Sequence, residues 1–511
     1  MDPARFWKNP ERALPDVLRR CFYFVFLVLV GNLFLQTVFF NRHFPLKAGL
    51  SLLSMALWLA VLADTAYLTG RGELWLRTHR RLALLLLLTI TVLTQLAFYR
   101  VAACWPVRDL QYIHDAAYEY TISGRITGIS QDYLYKFPNN LPVVALLQLV
   151  WRSVYRVAGA GFTGFTQVGA MLNAVAILLG YLFTFLTAEQ LLGLRWAVWC
   201  WAALYLCMPL QMLVSYYYTD TLTLCFAPLA LYLWLRLCRE KKPHPVLLTI
   251  AVLGGLCVGA GITLKVTVAI VLIAIAIDAV LRRQWRPMTL LLCGVVLGCI
   301  LCRAAVNAFA YQDCVLDAAR APDEATPYTN WVAMGLYGDG SYTPDINLAV
   351  WTLPTREARQ QYSLEILRER YEAFGGVGNY LRFLNQKSVR SFGSGDLETP
   401  GTVGMHLKIE GGLAERLVYV DGAWHLFYEY WAQGWHLAVF FLMLLAAALA
   451  LRRGATEAFV PLLSVFGLYL FLLLWEASQR YLINYLGIFV LAAAVGLSGL
   501  SNGRRHKPDR T

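Results

Sequence analysis

A run of about 20 mostly apolar residues can cross a lipid bilayer as a helix, and this chain of 511 residues is built largely from such runs. They lie near residues 21–40, 46–69, 82–103, 166–188, 196–213, 220–238, 246–263, 288–309, 434–451, 458–475 and 481–499. A shorter run covers 266–281 and an ambiguous one 138–157. Inside lipid every backbone polar group needs an internal partner, which helices of this length supply. Composition agrees. Charged residues make up 15% and hydrophobic ones 58%, where a soluble domain carries about 25% charged. The mean hydropathy is +0.52, and the 14% of aromatic residues suits rings at membrane interfaces. A cytosolic enzyme, a disordered chain and a disulfide scaffold are excluded. The first run is expected to span rather than be cleaved, because no small-residue cleavage site follows and a second run comes at once.

The net charge of +12 invites a nucleic-acid reading, but its distribution argues otherwise. Residues 310–432 hold 16 acidic and 10 basic residues, and the rest of the chain 16 and 34. The excess positive charge lies between apolar runs, as Lys and Arg do in cytoplasmic loops. Basic clusters at Arg5–Arg20 and Arg71–Arg81 make the N-terminus and the second loop cytoplasmic. Residues 104–137 are then outside. If 138–157 spanned, the clusters at 239–242, 282–286 and 452–453 would all fall outside. If it lies along the outer surface, all fall inside, together with the tail at Arg504, Arg505 and Lys507. Arg152 and Arg156 near its end also suit an interfacial helix. The expectation is therefore an all-α polytopic membrane protein of the cell membrane with about twelve transmembrane helices. Both termini are cytoplasmic, and 138–157 is interfacial.

The 11 cysteines fall mostly inside apolar runs, as do Cys200, Cys207 and Cys225, where they act as small hydrophobes. No CxxC or Cys/His zinc spacing occurs. Cys104 and Cys314 lie in the outer loops, and whether they pair is open.

This topology gathers ionisable residues at the outer surface: Asp109, His114, Asp115, Lys136, Asp220, Lys265, Glu476 and Arg480. Such groups at membrane depth are costly, and are functional candidates by default. The three aspartates could supply a general base or hold a metal. Lys136, Lys265 and Arg480 could clamp a phosphate. Each has a plainer explanation. Asp109 could cap the helix that follows, as could Asp220. Asp115 suits a solvated face or a supporting role, and His114 a structural one. The lysines could snorkel, and Glu476 and Arg480 could form an i, i+4 ion pair. Asp64 and Asp278 lie near cytoplasmic ends, where interfacial placement accounts for them. No P-loop, GxSxG or HExxH is present.

Several motifs in order resemble the GT-C superfamily of integral-membrane glycosyltransferases, in the branch of protein O-mannosyltransferases and lipid A aminoarabinose transferases. They are RDLQYIHDAAYEY around Asp109, YKFP at 135–138, YYYTD ending at Asp220, and LKVT at 264–267. NWVAMGLYGDGSYTPD at 330–345 and the closing E-x-x-x-RY from Glu476 to Tyr481 complete the set. The resemblance covers roughly residues 82–500. Two further spans precede the first acidic loop, and Leu110 stands where the family carries the second residue of an Asp-Glu pair. The resemblance implies inverting transfer of a sugar from a polyprenyl-phosphate-linked donor to an acceptor hydroxyl on a glycan, lipid or protein at the outer face. Asp109 would be the base and Asp220 would orient the acceptor. Lys136, Lys265 and Arg480 would hold the donor phosphate, with Asp115, His114 and Glu476 in support. A divalent cation, Mg or Mn, if used at all, would sit at Asp109 and Asp220.

The organisation expected is a two-span extension at 1–81 and a transmembrane core at 82–309, containing the acidic loop 104–137 and the interfacial helix 138–157. An extracytoplasmic α-rich cap at 310–432 follows, then C-terminal spans and a basic tail at 433–511. Two other classes stay open. A lipid-linked glycan transporter would need a continuous polar path through the bilayer. A non-catalytic protein of cell-envelope assembly would not need acidic and basic groups converging at one depth.

Overall fold

The computed structural model describes residues 10–44, 46–240, 244–313 and 315–503. These are helical almost throughout, and the only β-pairing among them is an isolated bridge between Cys104 and Leu407. Three long helices open the chain: α1 (Pro10–Phe39), α2 (Ala48–Arg71) and α3 (Arg80–Val101). A surface group follows: α4 (Asp109–Ser123), α5 (Gly128–Lys136) and α6 (Leu141–Ala158). The bundle resumes with α7 (Phe165–Leu192), α8 (Leu194–Tyr205), α9 (Phe226–Arg239), α10 (Pro245–Leu264), α11 (Ala269–Arg282) and α12 (Trp285–Asn307). The cap contributes α13 (Arg356–Ala373) and α14 (Val377–Phe392). The chain closes with α15 (His425–Arg453), α16 (Phe459–Leu474) and α17 (Leu486–Gly503).

Two faces can be traced from contacts between helix ends. On one, Arg80 holds Glu189 through two hydrogen bonds of 2.7 and 2.6 Å, and Arg195 reaches Ser501 at 2.9 Å. There too Arg453 bonds the Gly499 carbonyl, Arg20 the Leu451 carbonyl and Tyr23 that of Ala455. Asp278 is fully buried on this face. It takes hydrogen bonds from Arg282 and Trp234 and lies 3.6 Å from Arg19. Asp278 does lie near the basic end of its helix, as the sequence suggested, but its side chain is buried there and paired with Arg282 and Arg19 rather than open to solvent. This basic face collects the ends near 20, 80, 190, 282, 453 and 500. The opposite ends, near 41, 109, 165, 219, 265, 313, 425 and 476, meet the cap. There Asn41 bonds the Gly393 carbonyl and Tyr120 bonds Asp313.

Among the described residues ten helices are long and apolar enough to cross a membrane, or eleven if one bent pair is a single span. They differ from the expected twelve helix by helix. The run at 196–213 is broken: Leu194–Tyr205 and Met208–Ser215 meet at 65°, with Pro209 in the first turn of the second piece. Proline removes a helix hydrogen bond and disfavours helical backbone before it. Helices α11 and α16 have only 14 and 16 residues, yet each runs from one face to the other. Residues 138–158 are apolar enough to cross, but both ends of α6 lie at one face. Asn140, just before it, bonds Tyr133. Near its far end Arg152 lies over Tyr120 and Tyr155 over Phe165, the first residue of α7. The helix therefore runs along α4 instead of passing through the bundle.

Helices α10 and α12 touch backbone to backbone. A Cβ on Gly259 would come 2.3 Å from the Val295 carbonyl oxygen, and one on Gly298 2.4 Å from that of Leu256. Small residues four apart permit this approach in membranes.

Candidate active site

The site lies where helices stop short at the cap-side face. Helix α10 ends at Leu264, and Lys265 is extended. Helix α16 ends at Leu474, and a 3₁₀ segment resumes only at Gln479. The bend at Pro209 leads into Tyr216, Tyr217 and Tyr218 ahead of Asp220. Irregular backbone at this depth is tolerated where it lines a polar site.

Asp109 is the first residue of α4, and its side chain does not cap the helix. Its carboxylate instead accepts hydrogen bonds from Tyr133 at 3.0 Å and Tyr218 at 3.3 Å, and Asn140 donates to Tyr133 at 2.6 Å. Burial first, and then the Asp109 charge, push the Tyr133 hydroxyl well above the ordinary tyrosine range, so it stays a donor. The Arg480 guanidinium lies 5.7 Å over the Tyr218 ring. Arg480 accordingly stands one side chain from Asp109. It also bonds Tyr216 at 3.1 Å and sits 3.2 Å from Glu398.

Asp220 is fully buried. One of its oxygens pairs with Lys265, whose ammonium lies 4.6 Å over the Tyr481 ring. The other oxygen has no partner. Neither aspartate serves as a helix cap. Tyr481 donates to Glu476. Burial raises the Glu476 carboxyl above its usual range, against the pull of Tyr481 and Arg480. The i, i+4 ion pair between Glu476 and Arg480 does not form, because residues 475–478 are not helical. Lys387, from the cap, is fully buried and donates to the carbonyls of Gly335 and Leu473. Burial lowers it to about 7, although Glu476 opposes the shift.

The structure thus brings Asp109, Asp220, Lys265, Glu476 and Arg480 into one cluster and leaves three expected residues outside it. Lys136 sits 4.6 Å over Trp351 in the cap. His114 bonds Tyr217 at 2.7 Å and packs edge-on against Trp151. Burial, and then Lys408, lower it to about 4, so it is a neutral packing residue. Asp115 is half-buried on α4 and raised by burial and then by Glu119. The pairing of Cys104 with Cys314 falls outside the described residues, as Cys314 does.

No group of three or more His, Cys, Asp or Glu side chains able to hold a metal occurs among the described residues. The donor set fits a resident divalent cation poorly. Asp109 is engaged by two tyrosine hydroxyls, and Lys265 occupies the place of a cation on Asp220. Sequence reasoning missed Tyr133, Tyr218, Arg108 and Glu398. The tyrosine run before Asp220 marks Tyr218. Glu398 carries no signal, because only the folded cap brings it to Arg480.

Fold and site together define an all-helical, multi-pass membrane protein with a buried ion cluster on one face. The chain belongs to the family described as "Conserved hypothetical integral membrane protein", whose model matches residues 18–499. No curated protein matches it. Among solved structures it is similar to the oligosaccharyltransferase AglB of Archaeoglobus fulgidus, in complex with an inhibitory peptide and a dolichol-phosphate. The identity is 12%, the TM-score 0.39, and the match covers 86% of this chain and 53% of the other. The chain therefore spans about half the length of that enzyme. It is also similar to ArnT of Cupriavidus metallidurans bound to undecaprenyl phosphate, at 16% identity and TM-score 0.34, covering 82% and 78%. Likenesses this slight carry no argument about chemistry.

Proposed function

We propose that the protein is a membrane glycosyltransferase that moves a sugar from a polyprenyl-phosphate-linked donor to an acceptor hydroxyl, with inversion. The observation that carries the reading is Tyr218. Its hydroxyl holds Asp109 and its ring lies beneath Arg480, so a candidate base and a buried cation share one support. Asp109 takes the proton of the acceptor hydroxyl as that oxygen attacks the anomeric carbon. The bond from that carbon to the phosphate oxygen breaks on the opposite side, and the lipid phosphate leaves with the electron pair. Arg480 and Lys265 neutralise the leaving charge, where a low-dielectric site strengthens them. The free oxygen of Asp220 accepts a substrate hydroxyl. Lys136 has no place in this step, and no step runs through a divalent cation. All the traced basic helix ends lie on the opposite face, which supports an extracytoplasmic site.

The test is transfer from labelled polyprenyl-phosphate sugars by the full chain in lipid nanodiscs. Transfer to a hydroxyl acceptor, lost on substituting Asp109 while the donor still binds, is expected. Donor binding with no transfer to any hydroxyl acceptor would sink the enzyme reading in favour of a carrier.

A further inference from the structure

Four non-glycine residues among those described have left-handed backbone, and three of them meet at one point: Arg108 (φ 52°), Leu397 (φ 54°) and Glu398 (φ 59°). Such backbone is costly and persists where the surroundings impose it, often at ligand clamps. Here it aims Glu398 between two arginines. The same carboxylate oxygen lies 3.2 Å from Arg480 and 3.7 Å from Arg108, while its other oxygen takes the Ser478 hydroxyl at 2.9 Å. The seat is filled but not satisfied. Charge-assisted hydrogen bonds run at about 2.7–2.9 Å, and the buried Nε of Arg480 has no hydrogen-bond partner. The arginines also differ in depth. The Arg108 side chain is 48% exposed and that of Arg480 11%, so the seat opens outward at Arg108. Gly401 leaves room for that side chain, since a Cβ there would come 2.8 Å from Arg108 Nη2.

We infer that Arg108 and Arg480 form the seat of the donor's phosphate, that the Glu398 carboxylate holds this seat, and that the donor binds by displacing it. A phosphate presents several oxygens to two guanidinium groups at once, which a single carboxylate oxygen cannot do. Glu398 then acts as a built-in competitor that keeps Arg480 paired until an anion of the right kind arrives. Anions without a phosphate's reach gain nothing by replacing it. The inference rests on the glycosyl-transfer reading and adds two residues to it.

The experiment measures equilibrium binding of a polyprenyl phosphate lacking its sugar to the full chain in nanodiscs, with inorganic phosphate as competitor. Glu398→Gln keeps the shape and the Ser478 contact but removes the charge. It should bind the lipid about tenfold tighter, and Arg108→Gln about tenfold weaker. Inorganic phosphate should compete at both proteins and more strongly with Glu398→Gln. If that variant fails to fold, Glu398→Asp, whose shorter arm withdraws the carboxylate, should shift binding the same way. Wild-type binding that Glu398→Gln leaves unchanged or weakens would overturn the inference and leave the transfer reading standing. So would the absence of any phosphate competition. A wild-type protein that binds no lipid phosphate would sink both.

Discussion

At the scale of single residues, Asp109 and Lys387 make the sharpest demands. Asp109→Asn keeps size and can still accept a tyrosine hydroxyl, but it removes basicity. Transfer should fall by about 10²–10⁴-fold with thermal unfolding nearly unchanged; a variant that turns over normally would take Asp109 out of the mechanism. Asp220 and Lys265 are buried partners, so removing one leaves an uncompensated charge. Lys265→Met should cost about 3–5 kcal/mol, and Asp220→Asn added to it should restore much of that, as read in a denaturation cycle. Additive losses would mean the two do not interact. Lys387 has its folded value lowered to about 7 from an ordinary 10.5, chiefly by burial. Between these values the unfolded chain binds the proton and the folded one does not, so stability should rise with pH from about 7 towards 10.5. Lys387→Met should flatten that part of the profile. The residues that read directly from sequence were charges at helix ends. Glu398 and Arg108 were not legible, because their meeting depends on a cap some 290 residues further along the chain.

At the scale of elements, hydropathy located the long apolar helices but not their interruptions, and α4, α5, α13 and α14 lay outside its runs. The kink at Pro209 and the unwound stretch at 475–478 both lie within or beside apolar runs that read as continuous. Each interruption serves the site, one by turning Tyr218 towards Asp109 and Tyr216 towards Arg480, and the other by freeing Arg480 from Glu476. The 138–157 run was settled at sequence level only by charge parity across the whole chain, and its own composition would have allowed the other outcome. The seam between α10 and α12 gives a test within one helix. Gly254→Ala meets only the end of the Leu233 side chain, whereas Gly259→Ala meets the backbone of Val295 and Cys299. Overpacking a fixed backbone costs about 1–3 kcal/mol, so Gly259→Ala should lower the unfolding midpoint clearly more than Gly254→Ala. Equal effects would mean that the helices can move apart freely.

At the scale of the whole molecule, the basic helix ends and the ion cluster occupy opposite faces. Cysteines placed at Arg452 and Glu365, both exposed, should label from opposite sides of a sealed membrane, above the background of the native cysteines. Labelling from the same side would dissolve the proposed arrangement, because the cap and the basic loops would then share a compartment. The parity of charged loops made this two-sidedness legible without any contact being known. The depth at which the charges meet was not legible.

The glycine seam of α10 and α12 has a mechanical consequence. Where the glycines of the two helices meet, no side chain stands between them to yield, and that stretch bends as one beam. A substrate with a long greasy tail cannot be threaded through that wall. The cap, by contrast, is tied to the bundle by discrete fasteners such as Lys387 on the Leu473 carbonyl and Asn41 on that of Gly393. A seam held by backbone cannot give way contact by contact, whereas a cap held by single side chains can.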